Sequence, residues 1–174
     1  VFKGGFSREA AGAITGATLR ALMSLMNKSL IRRDADGGRY SIHELLRQYA
    51  EEQLQQAKEQ ETVAIAHMTY FAEFMAQHTI DIKGRRQIDG LNEVEADFDN
   101  IRDAWHYAVN QANYEALDQM MEALALYFDM RAMYKVGEDL FDNAVSQLSP
   151  LKGNRNQLVF NRLRVRALQV WVLQ

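Results

Sequence analysis

The first part of the chain alternates between short amphipathic segments and turn residues. Ser7 and Thr18 each precede a segment with apolar residues at helical spacing, and Gly16 lies between the two segments. Ser and Thr accept hydrogen bonds at helix N-termini, and Gly favours the left-handed conformation that ends a helix. The pattern predicts two short helices, the second of which carries an apolar face of Leu19, Leu22, Met23 and Met26.

A β-hairpin is predicted next. Residues 30–33 and 39–42 are short runs suited to strands, and residues 34–38 between them consist of Asp, Ala and Gly. Asp and Gly tolerate the positive φ angles that tight turns require. Two helices followed by a hairpin are typical of a winged-helix domain that lacks its first helix.

From residue 44 onward the apolar positions follow a helical period almost throughout. The first helix here has one face formed by Leu45, Leu46, Tyr49 and Leu54. Residues 81–91 contain two glycines and are predicted to be a loop with little regular structure. Further helices are predicted over about 61–78, 94–111, 113–130, 133–148 and from 154 onward, and the single proline, Pro150, agrees with long helices.

A candidate repeat unit lies between Asp118 and Leu151. Gly137 and Ala144 would let its two helices approach closely, while Phe128 and Phe141 would fill the space between them. Antiparallel helix pairs that stack only on their neighbours form a solenoid, and the unit resembles a tetratricopeptide repeat, whose period is ~34 residues. We therefore predict a mainly α fold: the C-terminal part of a winged-helix domain over 1–57, then a tetratricopeptide-like antiparallel helical solenoid over 58–174.

Composition narrows the class of protein. The net charge of −3 is close to balance, and the apolar share of 48% is ordinary for a globular protein. The absence of Cys excludes disulfides and thiolate metal sites. No signal peptide or membrane-spanning pattern is present, so we expect a cytoplasmic protein with no membrane contact. Because Val1 stands first and the apolar pattern continues to Leu173, we expect a fragment of a longer protein.

Three segments together resemble one junction in a known family. Residues 2–11, 25–30 and 40–50 resemble the point at which the winged-helix domain of bacterial NB-ARC-like signalling ATPases, the STAND class, meets a repeat domain. Residues 95–102 resemble the stretch that opens the repeats in these proteins. Many members are transcriptional regulators of the LuxR type. The resemblance covers most of the chain and implies the same order of domains.

The resemblance gives His43 a role. In that family a Met-His-Asp motif places a histidine against the β-phosphate of ADP and holds the protein closed; Ile42-His43-Glu44 occupies this position. A hydrogen bond to a charged group contributes ~1.5–3 kcal/mol, enough to bias a two-state switch. The resemblance implies ATP or ADP in the intact parent, none in this fragment, and a missing nucleotide-binding domain as a partner in cis. The alternative is a structural histidine that joins strand and helix.

No catalytic or metal-binding pattern stands out elsewhere. His67, His78 and His106 lack metal-ligand spacing and are interpreted as core or surface residues, and the stripe of Tyr70, Phe71 and Phe74 is interpreted as packing. The chain has no Gly-x-x-x-x-Gly-Lys loop and no Gly-x-Ser-x-Gly elbow. We therefore predict that it is not an enzyme and contains no catalytic residue.

The leading functional hypothesis is a regulatory and protein-interaction fragment of a signal-transducing ATPase or transcriptional regulator. Its repeats would bind a protein, a peptide or a small effector. The alternative is a DNA-binding winged helix fused to a helical dimerisation bundle, and a third hypothesis is a scaffold with no nucleotide link. Direct DNA binding is disfavoured because the basic residues are few and lie near Asp34 and Asp36: Arg20, Lys28, Arg32, Arg33 and Arg39. A second basic cluster, Arg162, Arg164 and Arg166, is interpreted as a solvated face or a groove for an acidic peptide.

Overall fold

The computed structural model describes residues 1–34, 38–148 and 154–172, and in them it confirms a mainly helical fold with one antiparallel hairpin. Residues 35–37 of the predicted turn and Pro150 lie outside the described residues, as do the side chains of Leu168 and Trp171. The strands are β1 (Ile31–Arg33) and β2 (Tyr40–Ile42). The helices are α1 (Arg8–Thr15), α2 (Leu19–Asn27), α3 (Glu44–Gln56), α4 (Gln60–Lys83), α5 (Gln87–Ala96), α6 (Phe98–Asn110), α7 (Tyr114–Met130), α8 (Tyr134–Gln147) and α9 (Asn154–Val172).

The chain divides into two compact units, Val1–Tyr70 and Phe71–Gln174. The division falls inside α4, whereas the domain boundary predicted from the sequence falls at residue 57, between α3 and α4. That the two domains are part of a winged helix and a tetratricopeptide-like solenoid stays a prediction.

Local hydrogen bonds begin the first two helices, and a glycine ends the first of them, as the sequence predicts. Ala10 N donates to Ser7 Oγ at 3.0 Å, and Ala21 N donates to Thr18 Oγ1 at 3.2 Å. Gly16 ends α1 with a φ of 67°, in the left-handed region where a residue without Cβ is favoured. These short-range contacts explain why the start of α1, its end and the start of α2 are readable from sequence alone.

Aromatic stacking joins the N-terminal residues to the hairpin in the first unit. In the hairpin, Ile31 pairs with Ile42, and Tyr40 pairs with Arg33. Phe6 and Tyr40 exchange two backbone hydrogen bonds of 2.8 Å, and their rings stack at 5.8 Å. The strand that leads to His43 is therefore anchored on one side by β1 and at Tyr40 by Phe6.

The second unit is built from helices that contact near neighbours in sequence. Helix α6 contacts α7 and α8, α7 contacts α8 and α9, and α8 contacts α9. Phe128 of α7 and Phe141 of α8 are fully buried and meet edge to face, with ring centroids 6.0 Å apart. The predicted placement of these two rings between the helices is confirmed.

The predicted close approach at Gly137 is also confirmed, and it supports a stability prediction. A Cβ at this position would lie 2.8 Å from Phe128 Cδ2 and 3.0 Å from its Cγ. We expect Gly137→Ala to lower the free energy of unfolding by about 1–2 kcal/mol, because overpacking exceeds the gain in helix propensity. Urea unfolding followed by circular dichroism measures the change.

Gly12→Ala is the matched control. Gly12 lies inside α1, and a Cβ there would meet only Ala17 O, at an ordinary contact distance of 3.7 Å. The same substitution should therefore stabilise the protein by up to ~1 kcal/mol. If both variants changed stability in the same direction, the close contact between Gly137 and Phe128 would not be the cause.

The prediction that residues 81–91 form a loop is wrong. Helix α4 continues to Lys83, and α5 begins at Gln87. Gly90 lies inside α5, where a Cβ would come within 3.1 Å of Asp81 Cβ and 3.3 Å of Ile82 Cγ1. The glycine therefore allows close packing of α5 on α4 instead of breaking a helix. The helix predicted over 94–111 is also divided, since α5 ends at Ala96 and α6 begins at Phe98.

Two apolar helix faces that the periodicity predicts are left exposed. On α2, Leu22 is buried, but Leu19 and Met23 are 49% and 54% exposed. Helix α3 contains no buried residue, and its Leu45 and Tyr49 are 69% and 60% exposed. Periodicity indicates which side of a helix is apolar, but it does not indicate what covers that side.

Candidate functional site

His43 is the N-cap residue of α3, directly after β2. Its backbone is extended, with φ −66° and ψ 139°, and its side chain is exposed. Leu45 N donates a hydrogen bond to His43 Nδ1 at 3.3 Å. This hydrogen bond is the contact through which His43 would fill the alternative role, that of a structural histidine that joins strand and helix.

The same hydrogen bond determines which nitrogen can act as a donor. Because Nδ1 accepts from Leu45 N, the neutral ring carries its proton on Nε2. This N–H belongs to an exposed side chain at the positive end of a 13-residue helix, where anions are favoured. The cap and a hydrogen bond from Nε2 to an incoming phosphate oxygen are therefore compatible.

Glu44 is directed along α3 and not toward His43. Its carboxylate accepts hydrogen bonds from Arg47 Nη2 at 2.7 Å, Arg47 Nε at 2.9 Å and Gln48 Nε2 at 3.0 Å. These bonds, chiefly those from Arg47, lower the pKa of Glu44 to about 2. The negative charge beside His43 is therefore held by Arg47, which also bonds Glu51 at 3.1 Å.

His78 lies in a polar cluster that the sequence pattern did not predict. The ring is buried, stacks on Phe74 with centroids 3.9 Å apart, and places Nδ1 2.8 Å from Phe74 O. Its Nε2 lies 2.7 Å from Glu93 Oε2. Both ring nitrogens face acceptor oxygens, so both contacts are hydrogen bonds only when each nitrogen carries a proton.

Arg86 neutralises the carboxylates of this cluster. His78, Asp81 and Glu93 present ligand atoms within 4.8 Å of one another, which is a possible metal-binding arrangement. However, Arg86 donates to Glu93 Oε1 at 2.8 Å and to Asp81 Oδ2 at 3.3 Å, and it also lies 3.8 Å from Asp89. A cation would have to displace this guanidinium, so we interpret the cluster as an ion-pair network that joins α4 to α5.

The other histidines and the aromatic stripe lie in packed surroundings. His67 is buried against the ring of Phe2, at 5.9 Å, and His106 is partly buried. Phe71 is buried and contacts Phe74 edge to face at 5.9 Å. This placement matches the interpretation of the stripe as packing.

Two arginines of the C-terminal basic cluster line a shallow groove, and both are already paired with acids. Arg162 and Arg166 of α9 each form an ion pair with an acid of α7, Asp118 and Glu122 respectively. Lys83 Nζ also lies 2.9 Å from Glu122, and the hydrogen bond from Lys83 is the main cause that lowers the pKa of Glu122. Two of the three arginines therefore hold α9 on α7, and Arg164 is exposed.

Comparisons of the chain with protein-family models, with curated proteins and with solved structures find no match. The resemblance to NB-ARC-like ATPases rests on the sequence segments quoted above. Across the part of the chain that the structure describes, no helix is both long enough and apolar enough to cross a membrane.

Proposed function

We propose that the chain is a regulatory and protein-interaction segment of an NB-ARC-like signalling ATPase or transcriptional regulator. Its first unit, as the end of a winged-helix domain, relays the nucleotide state of a nucleotide-binding domain in cis. Its second unit, as a tetratricopeptide-like solenoid, binds a protein, a peptide or a small effector. No catalytic step is assigned to this chain.

One observation carries the nucleotide part of the proposal. His43 caps α3 through Nδ1 and keeps an Nε2–H donor on an exposed ring. A phosphate oxygen at hydrogen-bond distance from Nε2 would link bound ADP to the junction of β2 and α3. Tyr40 is hydrogen-bonded to Phe6, so β2 is anchored within the first unit. A displacement of His43 would therefore be transmitted to an anchored strand.

The partner-binding part is supported by the contacts within the second unit. Each of the helices α6 and α7 contacts the next helix and the next but one, as stacked helix pairs do. Gly137 allows α7 and α8 to pack closely, and Phe128 and Phe141 fill the space between them. Repeated units of this kind commonly present an extended binding surface.

Reading the coding sequence upstream of Val1 tests the nucleotide relay directly. We expect a Gly-x-x-x-x-Gly-Lys-Ser/Thr loop within a few hundred codons, followed by a strand that ends in an acidic residue. A nearby start codon without such a loop would leave His43 as a structural cap and the protein as a binding scaffold.

The alternative function, a DNA-binding winged helix with a helical dimerisation bundle, has a separate test. Arg20, Lys28 and Arg32 are exposed on α2, at its end and on β1. A gel shift with duplex DNA at several salt concentrations measures their effect. Strong binding that weakens steeply with salt would favour this alternative, because phosphate contacts release counterions.

A further inference from the structure

Helix α2 presents a small apolar surface with a cationic edge. Leu19 and Met23 are one helical turn apart, and both are about half exposed. Together with Arg20, Ser24 and Asn27 they line a shallow groove. We call this surface the α2 face. Because residues i and i+4 lie on the same side of a helix, Leu19 and Met23 form a continuous apolar strip.

The α2 face lies in a segment that contains only positive charges. Residues 10–33 include Arg20, Lys28, Arg32 and Arg33 and no Asp or Glu. Within the described ranges, Arg20 and Lys28 form no ion pair. A second copy of the α2 face would repel this one, so the surface favours an acidic amphipathic occupant.

Helix α3 has the complementary properties. It contains three acidic residues, Glu44, Glu51 and Glu52, and one basic residue, Arg47. None of its residues is buried. Leu45 and Tyr49 form an exposed apolar strip at i, i+4 spacing. Glu52 lies one turn after Tyr49 on the same side, and within the described ranges it forms no ion pair. We call Leu45, Tyr49 and Glu52 the α3 face.

We propose that the α2 face of one copy of this chain packs against the α3 face of a second copy. Leu19 and Met23 contact Leu45 and Tyr49, and Arg20 pairs with Glu52. Because each copy carries both faces, a two-fold arrangement satisfies the pairing twice, as in most homodimers. This inference goes beyond the proposed function and does not depend on nucleotide binding at His43.

The dimer should be weak and reversible. Two helices of 9 and 13 residues offer a small contact surface, and small interfaces belong to transient complexes. We expect a dissociation constant on the order of 10–100 µM. Analytical ultracentrifugation of the full chain, at concentrations up to about 500 µM, measures this equilibrium in the range where both species are populated.

Charge reversal on the two faces tests the pairing. Arg20→Glu sets two carboxylates against each other across the interface, and Glu52→Arg sets two guanidinium groups against each other. Each variant alone should therefore dimerise at least ~10-fold more weakly. An equimolar mixture of the two variants should regain dimerisation. In a mixed dimer, one contact pairs the wild-type Arg20 with the wild-type Glu52. The other contact pairs the introduced glutamate with the introduced arginine, so both contacts join opposite charges.

Arg85→Glu is the matched control for this test. It makes the same charge change as Arg20→Glu, but at an exposed site in the second unit, whereas both faces belong to the first unit. The variant should therefore leave the dissociation constant of the dimer unchanged. An equal weakening by Arg85→Glu and Arg20→Glu would attribute the effect to net charge and would contradict the specific pairing.

Three further outcomes would overturn the proposal. The first is a wild-type chain that stays monomeric over the whole concentration range. The second is a dimer that both variants leave intact, or that the mixture does not restore although circular dichroism shows that both variants are folded. The third is a monomer that binds a duplex DNA probe through Arg20 with steep salt dependence, which would make nucleic acid the occupant of the α2 face.

Discussion

Phe141→Ala is expected to lower the free energy of unfolding by about 3–5 kcal/mol. The Phe141 side chain is fully buried and meets two other rings edge to face: Trp105 at 5.6 Å and Phe128 at 6.0 Å. Removing the ring leaves a cavity among large side chains held on three helices, which limits how far they can collapse into it. Urea unfolding followed by circular dichroism measures the loss.

The size of this effect is what makes it informative. A domain is stable by only about 5–15 kcal/mol, so the loss of this one ring would remove a large part of the total. Since Gly137 places the α8 backbone directly against Phe128, the three rings and the glycine act as one packed layer. The layer holds α6, α7 and α8 in place, so a surface formed by these helices depends on it.

Leu158→Ala is the control for this prediction. Leu158 lies on α9 and is 60% exposed, so its truncation should change stability by no more than about 0.5 kcal/mol. A loss of less than about 1 kcal/mol for Phe141→Ala would show that the aromatic layer is not packed as described.

The features that the sequence predicts well are those decided within a few residues. Ser7 and Thr18 bond to amides three residues ahead, and Asn113 Oδ1 accepts from Ala116 N at 3.1 Å in the same way. The hairpin follows from two short runs and an Asp- and Gly-rich turn. Helical periodicity predicts a stripe of Phe98, Ile101, Trp105 and Val109, of which the last three are buried and Phe98 is partly buried. Each of these signals acts over distances that a sequence window contains.

Long-range packing accounts for the features that the sequence did not reveal. A glycine in a helical pattern suggests a break, but Gly90 lies inside α5, where its lack of a Cβ allows close packing against Asp81 and Ile82. The breaks at residues 112 and 132, by contrast, lie where the sequence predicts one helix to end and the next to begin. No glycine marks either turn, although Ala112 and Ala132 have φ of 49° and 52°. In both turns the next amide donates to a carbonyl five residues back, at 2.8 Å, which satisfies the helix end.

The polar cluster at His78 shows the same limit for a candidate site. Asp81 is one turn from His78, but Glu93 follows 15 residues later, across a segment predicted to be a loop. Only the return of the chain in α5 brings the two side chains together. A search for ligands at helical spacing would not find this contact, because it depends on how α5 packs on α4. For His43, by contrast, the sequence placed the residue correctly between strand and helix.

His43→Ala in the intact parent is expected to weaken ADP binding roughly 10- to 150-fold, the equivalent of a lost hydrogen bond to a charged group. The parent is the proposed longer protein, in which this chain would be joined to a nucleotide-binding domain. ADP binding should weaken because the substitution removes the Nε2–H donor, which the cap at Nδ1 leaves available in the wild type. Because ADP would hold the closed state, basal signalling should rise in the same variant. Calorimetric titration with ADP measures the affinity.

The cap itself must be separated from the donor, because His43→Ala removes both. Loss of an N-cap costs about 0.5–2 kcal/mol of stability, and this alone could disturb the junction of β2 and α3. His43→Asp keeps an acceptor for Leu45 N, since Asp is a favoured N-cap, but it cannot donate to phosphate. We therefore expect the Asp variant to keep its stability and to lose ADP affinity at least as strongly as the Ala variant. If ADP affinity in the Asp variant equalled that of the wild type, the histidine would be a helix cap only, and the relay would have to begin at another residue.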